Sequence, residues 1–353
     1  MRFTVVPDAV PFRFTLRLAA VVLALALAAA AHPSHAAAQA SVIKLATLVP
    51  EGSVWDKSLR VMGGQWTAAT QGRVSLRVYP GGVAGDEPDV VRKMRIGQLQ
   101  AAAVTTAGLA DIDPAFQLFK IPMFFDSYAE LEAVLDKLSP LLRQRLEAKG
   151  FLLLSWGHGG WLYFFNKQPV TSVDDLKRLK LFWLTGDDIM VQRWKTLGFQ
   201  PVPLAATDIL TALQTGMIDS YPTTPLVALS LQWYKQTPYM SAVGLDPLVG
   251  GLVITKQAWN KLSAADRTAI AGASRRMEQR LKVEVPRQDT TAVAEMQKRG
   301  LTVTKMSPAS VAQFRGMAQQ FATAMRGTIV PEDILDAAIR ERDAYRQAHG
   351  GKR

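Results

Sequence analysis

One histidine flanked by glycines is the residue whose surroundings most suggest catalysis. It lies in SWGHGGW, residues 155–161, as His158. A His-Gly-Gly sequence occurs in the oxyanion loop of esterases, where backbone amides stabilise the negative charge of a tetrahedral intermediate. Such a loop serves a serine in a G-x-S-x-G turn, and the chain contains no such turn sequence. The other interpretation is a glycine-flexible crossing between two lobes, and an exported hydrolase remains the distant alternative.

Two adjacent aspartates, Asp187 and Asp188, could form an acid–base pair. They stand directly before an apolar helical segment, a position that is typical of helix-capping carboxylates. After residue 40 the only histidines are His158 and His349, and neither an H-E-x-x-H nor a phosphate-binding glycine motif occurs. The absence of cysteine excludes disulfides, thiolate metal sites and cysteine nucleophiles. The sequence therefore predicts a protein that is not an enzyme and needs no metal or cofactor.

The first 40 residues have the layout of a secretory signal peptide. Arginines come before an apolar run at residues 18–31, and small residues follow it. The alternative is a membrane anchor, but the run is shorter than the roughly 20 residues that a spanning helix needs. We expect residues 1–40 to be removed on export. The product would be a periplasmic protein that begins near Ser41 and has no stable membrane insertion.

The chain has 353 residues and a formal net charge of +11. A positive balance of this size can indicate binding to nucleic acid. The basic residues are, however, interleaved with acids, as in EPDVVRKMR at 87–95, and this pattern is typical of solvated helix faces. We therefore expect no nucleic-acid partner.

Strand and helix patterns alternate along the chain. Strands are predicted at 42–48, 73–79 and 99–106 with helical spacing between them, an order that indicates parallel βαβ units. Ser139-Pro140 predicts the start of a separate helix, because proline is favoured at the first helical position. After Ser263 helical periodicity continues for more than thirty residues. Pro286 is expected to kink this helix rather than end it, so that it lies across two lobes.

A short strand predicted at LKLFW, residues 179–183, contains two neighbouring aromatic residues. Neighbouring side chains of a strand point to opposite faces, so Phe182 and Trp183 cannot both enter one core. One of them must face away from that core.

Four segments in order resemble the DctP-type substrate-binding proteins of TRAP transporters, the tripartite ATP-independent periplasmic uptake systems. Each segment alone is weak, but the ordered set is specific and covers the chain from about Ile43 to the tail. The segments are GGVAGDEPDVVRKMRIGQLQAAAVTT (81–106), PVTSVDDLKRLKL (169–181), LGFQPVPLAATDILTALQTGMIDS (197–220) and ITKQAWNKLSAADRTAI (254–270).

The resemblance implies an α/β, two-lobed periplasmic-binding-protein fold with a hinge, a cleft between the lobes and a long kinked helix spanning both. The predicted division assigns residues to a signal peptide, two lobes and a tail. It reads: signal peptide 1–40; first lobe 41–160 with about 250–285 returning to it; second lobe 161–249 with about 286–345 returning to it; tail 346–353.

The resemblance also implies a function. Such proteins are solute receptors that capture a small molecule in the interlobe cleft and deliver it to the membrane permease subunits of a TRAP transporter. The alternative, from another class, is a periplasmic protein of the same fold that carries lipids or other hydrophobic ligands without coupling to TRAP uptake.

Two positions depart from the family pattern at the ligand. The family's L-K-I-R carries an arginine that grips a ligand carboxylate as a bidentate fork, and here K-L-F at 180–182 puts Phe182 in its place. The family's x-E-N-P carries an asparagine that also contacts the carboxylate, and Thr224 occupies that position. We therefore expect Phe182 to face the pocket, Trp183 to face the core, and the ligand to be apolar or weakly polar. The alternative is that Phe182 is a core residue.

Further ligand contacts are expected at strand ends and at the crossing between lobes, because open α/β sheets bind ligands beyond the carboxyl ends of their strands. Core packing is the alternative for each aromatic residue taken alone. The expected contacts are Trp55, Thr105, Thr106, Phe124, Trp161, Tyr163 and Tyr221.

Overall fold

The computed structural model describes residues 1–4 and 40–350. Residues 5–39 of the predicted signal peptide and residues 351–353 of the predicted tail therefore lie outside the described residues. Among the described residues, no helix combines the length and the apolar character that crossing a bilayer requires.

The strands form one mixed sheet, in the order β2-β1-β3-β8-β4-β7-β5-β6, with β9 paired to β8. β1 pairs in parallel with both β2 and β3, which confirms the predicted βαβ units. In chain order the strands are β1 (Ser41–Thr47), β2 (Val74–Tyr79), β3 (Ala101–Thr105), β4 (Phe151–Asn166), β5 (Lys180–Leu184), β6 (Gln200–Leu204), β7 (Ser220–Thr223), β8 (Tyr239–Thr255) and β9 (Thr302–Thr304).

Helices cover the sheet, and most begin at a serine, threonine or aspartate that caps them. In chain order the helices are α1 (Val54–Ala69), α2 (Glu87–Arg95), α3 (Thr106–Ile112), α4 (Tyr128–Ala148), α5 (Val173–Lys177), α6 (Asp188–Thr196), α7 (Ile209–Thr215), α8 (Pro225–Ser230), α9 (Lys256–Asn260), α10 (Ala264–Lys298), α11 (Pro308–Met325) and α12 (Glu332–His349). A 3-10 helix, Pro114–Lys120, packs on α3.

The two ends of the sheet form two lobes. We call the end built on β1, β2 and β3, with α1 to α3 and the 3-10 helix, the first lobe, and the end built on β5, β6 and β7 the second lobe. β8 pairs with β3 at one end and β4 pairs with β7 at the other, and the two long strands pair with each other in between. These two antiparallel strands therefore connect the lobes, and we call them the connecting strands.

The predicted glycine-flexible crossing at 155–161 is a continuous part of β4. Its glycines allow close packing: a Cβ on Gly157 would lie 3.0 Å from the backbone carbonyl carbon of Gly250 on β8. Ladder pairing continues through the segment, with register shifts between His158 and Trp161 and between Trp161 and Tyr163. The segment is thus an irregular strand paired with β8 rather than a loop.

The predicted helix start at Ser139-Pro140 is wrong, because α4 runs through it without interruption. Proline lacks the amide hydrogen for one helical bond, which costs stability in a helix interior. Leucines on one face of α4, including Leu138 and Leu142, are buried in the largest hydrophobic cluster. This packing on both sides of Pro140 holds the two halves together as one helix.

The long C-terminal helix is confirmed. α10 has 35 residues and continues through Pro286. It packs on α1 in the first lobe, on β4 between the lobes and on α8 beyond the end of β7. The residue boundaries of the lobes remain a prediction. α12, most of which lies in the segment predicted to return to the second lobe, packs against α4.

Candidate functional site

Loops of the two lobes touch each other beyond the carboxyl ends of the parallel strands. A Cβ added to Gly82, in the loop after β2, would lie 3.3 Å from the side chain of Thr207, which follows β6. A Cβ on Gly186, after β5, would lie 2.6 Å from the ring of Pro88 at the start of α2. The lobes are therefore in contact around the region where an open α/β sheet binds its ligand.

An ion pair crosses between the lobes at this place. The ammonium of Lys120, at the end of the 3-10 helix, donates to the carboxylate of Asp187, which immediately precedes α6. The indole of Trp183 donates to the same carboxylate at 2.9 Å, and the amide of Gln117 lies 3.5 Å from its other oxygen. Asp187 occupies the N-cap position of α6 as predicted, but its side chain makes no capping bond.

Two more carboxyl groups lie near Lys120. Glu87 accepts hydrogen bonds from the backbone amide of Thr105 at 2.6 Å, from its hydroxyl at 2.7 Å and from the amide of Gly108 at 2.7 Å. Burial raises the pKa of Glu87, and these bonds and Lys120 oppose the rise. Burial raises the pKa of Asp246 on β8 to about 8, again opposed by Lys120. One ammonium group thus pairs with Asp187 and acts electrostatically on Glu87 and Asp246, and we call these four residues the strand-end cluster.

The connecting strands are tied to the helices on either side of them. The indole of Trp55 on α1 donates to the carbonyl of His158 at 2.9 Å. Asp289 on α10 accepts from the amide of Leu226 at 3.0 Å and from the amide of Trp161 at 3.3 Å. These bonds make the connection between the lobes depend on helix contacts as well as on strand pairing.

His158 has no catalytic arrangement within the part of the chain that the structure describes. Its Nδ1 lies 3.3 Å from the carboxylate of Glu132, and its Nε2 has no hydrogen-bond partner there. Burial lowers the pKa of His158, and Glu132 opposes the shift. A hydrolase would need a serine hydroxyl bonded to this imidazole, and neither ring nitrogen bonds to a serine of the described residues.

Phe182 and Trp183 are buried on opposite faces of β5, as strand alternation requires. Phe182 is 7% exposed and belongs to a cluster with Ile209, Leu213 and Tyr221. Trp183 is 8% exposed, belongs to the largest cluster and bonds to Asp187. A ligand contact of Phe182 therefore remains a prediction.

The other predicted contacts lie in several different environments. The hydroxyl of Thr224 is buried and has no partner among the described residues, whereas Thr106 donates to the carbonyl of Val249 at 2.7 Å. Tyr221 is fully buried, stacks on Phe165 and shares a hydrogen bond with Thr237. Phe124 is buried beneath the guanidinium of Arg342 on α12. Thr105 donates hydrogen bonds to Glu87 from its backbone amide and its hydroxyl.

Trp161 and Tyr163 line a cavity of about 840 Å³ between the connecting strands and α10. The lining residues of this cavity do not include Phe182, Thr105 or any member of the strand-end cluster. Tyr163 nevertheless also packs against the hydrophobic cluster that contains Phe182.

The charged residues Glu87, Lys120, Asp246 and Asp289 were not singled out from the sequence. They are far apart along the chain, and single acids and lysines of this kind usually belong to solvated surfaces. Burial is the signal that identifies them, and burial becomes visible only in the folded chain.

Comparisons with known proteins agree on one family. Residues 45–326 match the family model described as bacterial extracellular solute-binding protein, family 7, named DctP. A solute-binding protein of Chromohalobacter salexigens is 29% identical over 62% of this chain, and the match spans 65% of that relative's own length.

Two solved structures have the same fold. The sugar acid binding protein DctPAm of Advenella mimigardefordensis, in complex with galactonate, superposes with a TM-score of 0.81 at 18% identity, covering 87% of this chain and 99% of that one. A TRAP periplasmic solute-binding protein of Chromohalobacter salexigens with bound D-glucuronate has a TM-score of 0.79 at 23% identity, with 86% and 99% covered. The predicted two-lobed architecture is thereby confirmed.

Proposed function

Because the chain belongs to the DctP family of bacterial extracellular solute-binding proteins, we propose that it captures one small molecule between its lobes and delivers it to the membrane subunits of a TRAP permease. The main observation in support is the ion pair of Lys120 and Asp187, which joins the two lobes beyond the strand ends. It contributes only when the lobes are together, so it favours a closed form around an enclosed ligand. In this role the protein binds and releases its ligand without catalysing a reaction.

We expect the lobes to separate when the ligand leaves. Small-angle scattering should give a smaller radius of gyration when the solute that co-purifies with the protein is added back to ligand-free protein. Lys120→Met should weaken binding of that solute about tenfold, or about 1.4 kcal/mol, because the closed form loses its interlobe ion pair.

Lys235→Met is the matched control. Lys235 is exposed, and its ammonium donates to the side chain of Gln232, three residues away. Its removal should change neither the radius nor the affinity. Equal radii with and without saturating solute would contradict closure of the lobes.

We propose that the ligand is apolar or weakly polar. The two structural relatives named above hold sugar acids, galactonate in one and D-glucuronate in the other. In this chain Phe182 and Thr224 stand where the family has its arginine and asparagine. The strand-end cluster holds three carboxyl groups and a single lysine that already pairs with Asp187. The cluster therefore leaves no unpaired cation that could bind a ligand carboxylate.

We propose Phe182 and Thr224 as the ligand contacts to test first. Thr224 has a buried hydroxyl without a partner among the described residues, so a ligand oxygen could satisfy it. The other predicted contacts stay predictions; they are Trp55, Thr105, Thr106, Phe124, Trp161, Tyr163 and Tyr221.

Export should remove the first residues of the chain. The basic, apolar and small-residue order of residues 1–40 fits a signal peptide, and the family is extracellular. N-terminal sequencing of the protein recovered from the periplasm should give a start between Ala36 and Val42. Recovery of membrane-bound protein that keeps Met1 would contradict this processing.

A further inference from the structure

The cavity between the connecting strands and α10 has the size of a small-molecule site. Its volume of about 840 Å³ lies within the range of roughly 300–1,000 Å³ that is typical of ligand pockets. Its walls include apolar side chains from β8, β9 and α11, among them Met240, Val303 and Val311. No member of the strand-end cluster lines it, so the cavity is separate from that cluster.

A buried carboxylate without a cationic partner lies in its wall. Asp289 on α10 is 7% exposed and lines the cavity. Between residues 40 and 350 it forms no ion pair; Arg315, which also lines the cavity, pairs with Asp126 at 2.8 Å. Burial raises the pKa of Asp289 to about 7, and hydrogen bonds from the backbone amides of Leu226 and Trp161 oppose the rise. A buried carboxylate of this kind gains free energy when a cation approaches it.

Three aromatic side chains line the cavity together with this carboxylate. The rings of Tyr128 and Trp161 meet edge to face with their centroids 5.3 Å apart. Burial and, after it, the charge of Asp289 raise the pKa of both Tyr128 and Tyr163, so both phenol groups lie within reach of this charge. Aromatic faces attract cations through their quadrupole, and ammonium groups are recognised by such rings.

We propose that this cavity binds an organic cation, an ammonium group carried on an apolar or aromatic body, with Asp289 and the rings of Tyr128, Trp161 and Tyr163 around the charge. The apolar walls would take up the body of the ligand. The size of the cavity favours a ligand larger than ammonium itself. A carboxylate ligand is disfavoured, because it would meet Asp289 without a free cation beside it.

The test compares three probes that share one ring and differ in charge. Benzyltrimethylammonium, benzyl alcohol and benzoate are titrated into the purified mature protein by calorimetry. We expect the cation to bind at least about tenfold more tightly than either of the others. Equal affinity for the alcohol, or no binding of the cation at millimolar concentration, would overturn the proposal.

Charge variants on α10 locate the site. Thr290→Lys places an ammonium at an exposed position of the cavity wall, next to Asp289, and should weaken cation binding at least about fivefold. Thr291→Lys adds the same charge at an exposed position that does not line this cavity and should leave the affinity unchanged. Equal effects of the two variants would mean that the cation binds elsewhere.

Asp289→Asn should abolish the preference for the cation over the alcohol while retaining weak binding of both. If this variant fails to fold, the Thr290 and Thr291 pair still decides the location, because both positions are exposed. A preference for the cation that survives in folded Asp289→Asn would contradict the role of this carboxylate.

Discussion

Phe182→Arg is expected to change the class of ligand that the protein accepts. Wild type should bind the solute that co-purifies with it and should show no micromolar affinity for small carboxylates such as succinate or pyruvate. The variant should bind that solute at least about tenfold more weakly and should gain measurable affinity for the carboxylates. Calorimetry of both proteins against both ligand classes measures the change.

The expected effect follows from desolvation. Burying a carboxylate without a cationic or hydrogen-bonding partner costs several kcal/mol. Phe182 supplies no donor and Thr224 only a neutral hydroxyl in place of the family's arginine and asparagine, so a carboxylate would lack a cationic partner. An apolar ligand gains about 25 cal/mol for each Å² of apolar surface that it buries. The guanidinium introduced at residue 182 reverses this preference, because it pairs with the carboxylate and is itself costly to bury against an apolar ligand.

Two further variants separate a ligand contact from a core role. Phe182→Leu keeps an apolar side chain, so it should retain the discrimination against carboxylates and lose only part of the affinity for the native solute. Thr224→Asn restores the second family contact and should add to the effect of the arginine. If wild type binds a small carboxylate at micromolar affinity and Phe182→Ala leaves that binding unchanged, Phe182 is a core residue beside Ile209 and Leu213.

Asp246→Asn is expected to flatten the dependence of stability on pH. The pKa of Asp246 in the folded protein is about 8, because burial disfavours its charged form more than Lys120 favours it. In the unfolded chain the carboxyl should ionise near its ordinary pKa of about 4. Between these two values the folded state holds the proton more tightly, so the free energy of unfolding falls as the pH rises.

The size of the effect can be stated for each pH unit. Asp246 alone should lower the free energy of unfolding by about 1.4 kcal/mol per unit between about pH 5 and about pH 7. The asparagine side chain of the variant does not titrate, so the variant should lose this part of the slope and should be more stable than wild type above about pH 8. Urea unfolding of both proteins at several pH values measures the two slopes.

Glu87 is the matched comparison, because burial raises its pKa too. Glu87 is present in both proteins and lowers the free energy of unfolding as the pH rises. Some decline of that free energy with pH should therefore remain in Asp246→Asn. Identical slopes for wild type and variant would mean that Asp246 is ionised in the folded protein at neutral pH.

Local patterns in the sequence were sufficient for much of the architecture. Alternating β-formers and helical spacing up to residue 106 predicted the parallel strands β1, β2 and β3, because the period of side-chain direction is a property of each element by itself. The periodicity after Ser263 predicted a helix through Pro286 for the same reason. The order of the family motifs predicted two lobes, and the family and fold comparisons confirmed that architecture.

Packing overruled local signals at two places. Proline at residue 140 is a good first helical residue, yet leucines before and after it are buried on one face and α4 continues. Glycines around His158 suggest flexibility, yet they lie in a continuous strand because they allow β4 and β8 to approach closely. In both cases tertiary contacts outweigh an intrinsic preference of about a few kcal/mol or less.

The site itself was decided by the tertiary structure. Lys120 and Asp187 are 67 residues apart in the chain, and Asp289 is 128 residues from Trp161, so no local pattern links them. The direction of Trp161 and Tyr163 also depends on register shifts in β4, since each shift of one residue exchanges the two faces of a strand. Sequence therefore determined which elements form, whereas only the folded chain determined which charges are buried together and which face each aromatic residue takes, because burial and register arise from contacts between distant segments.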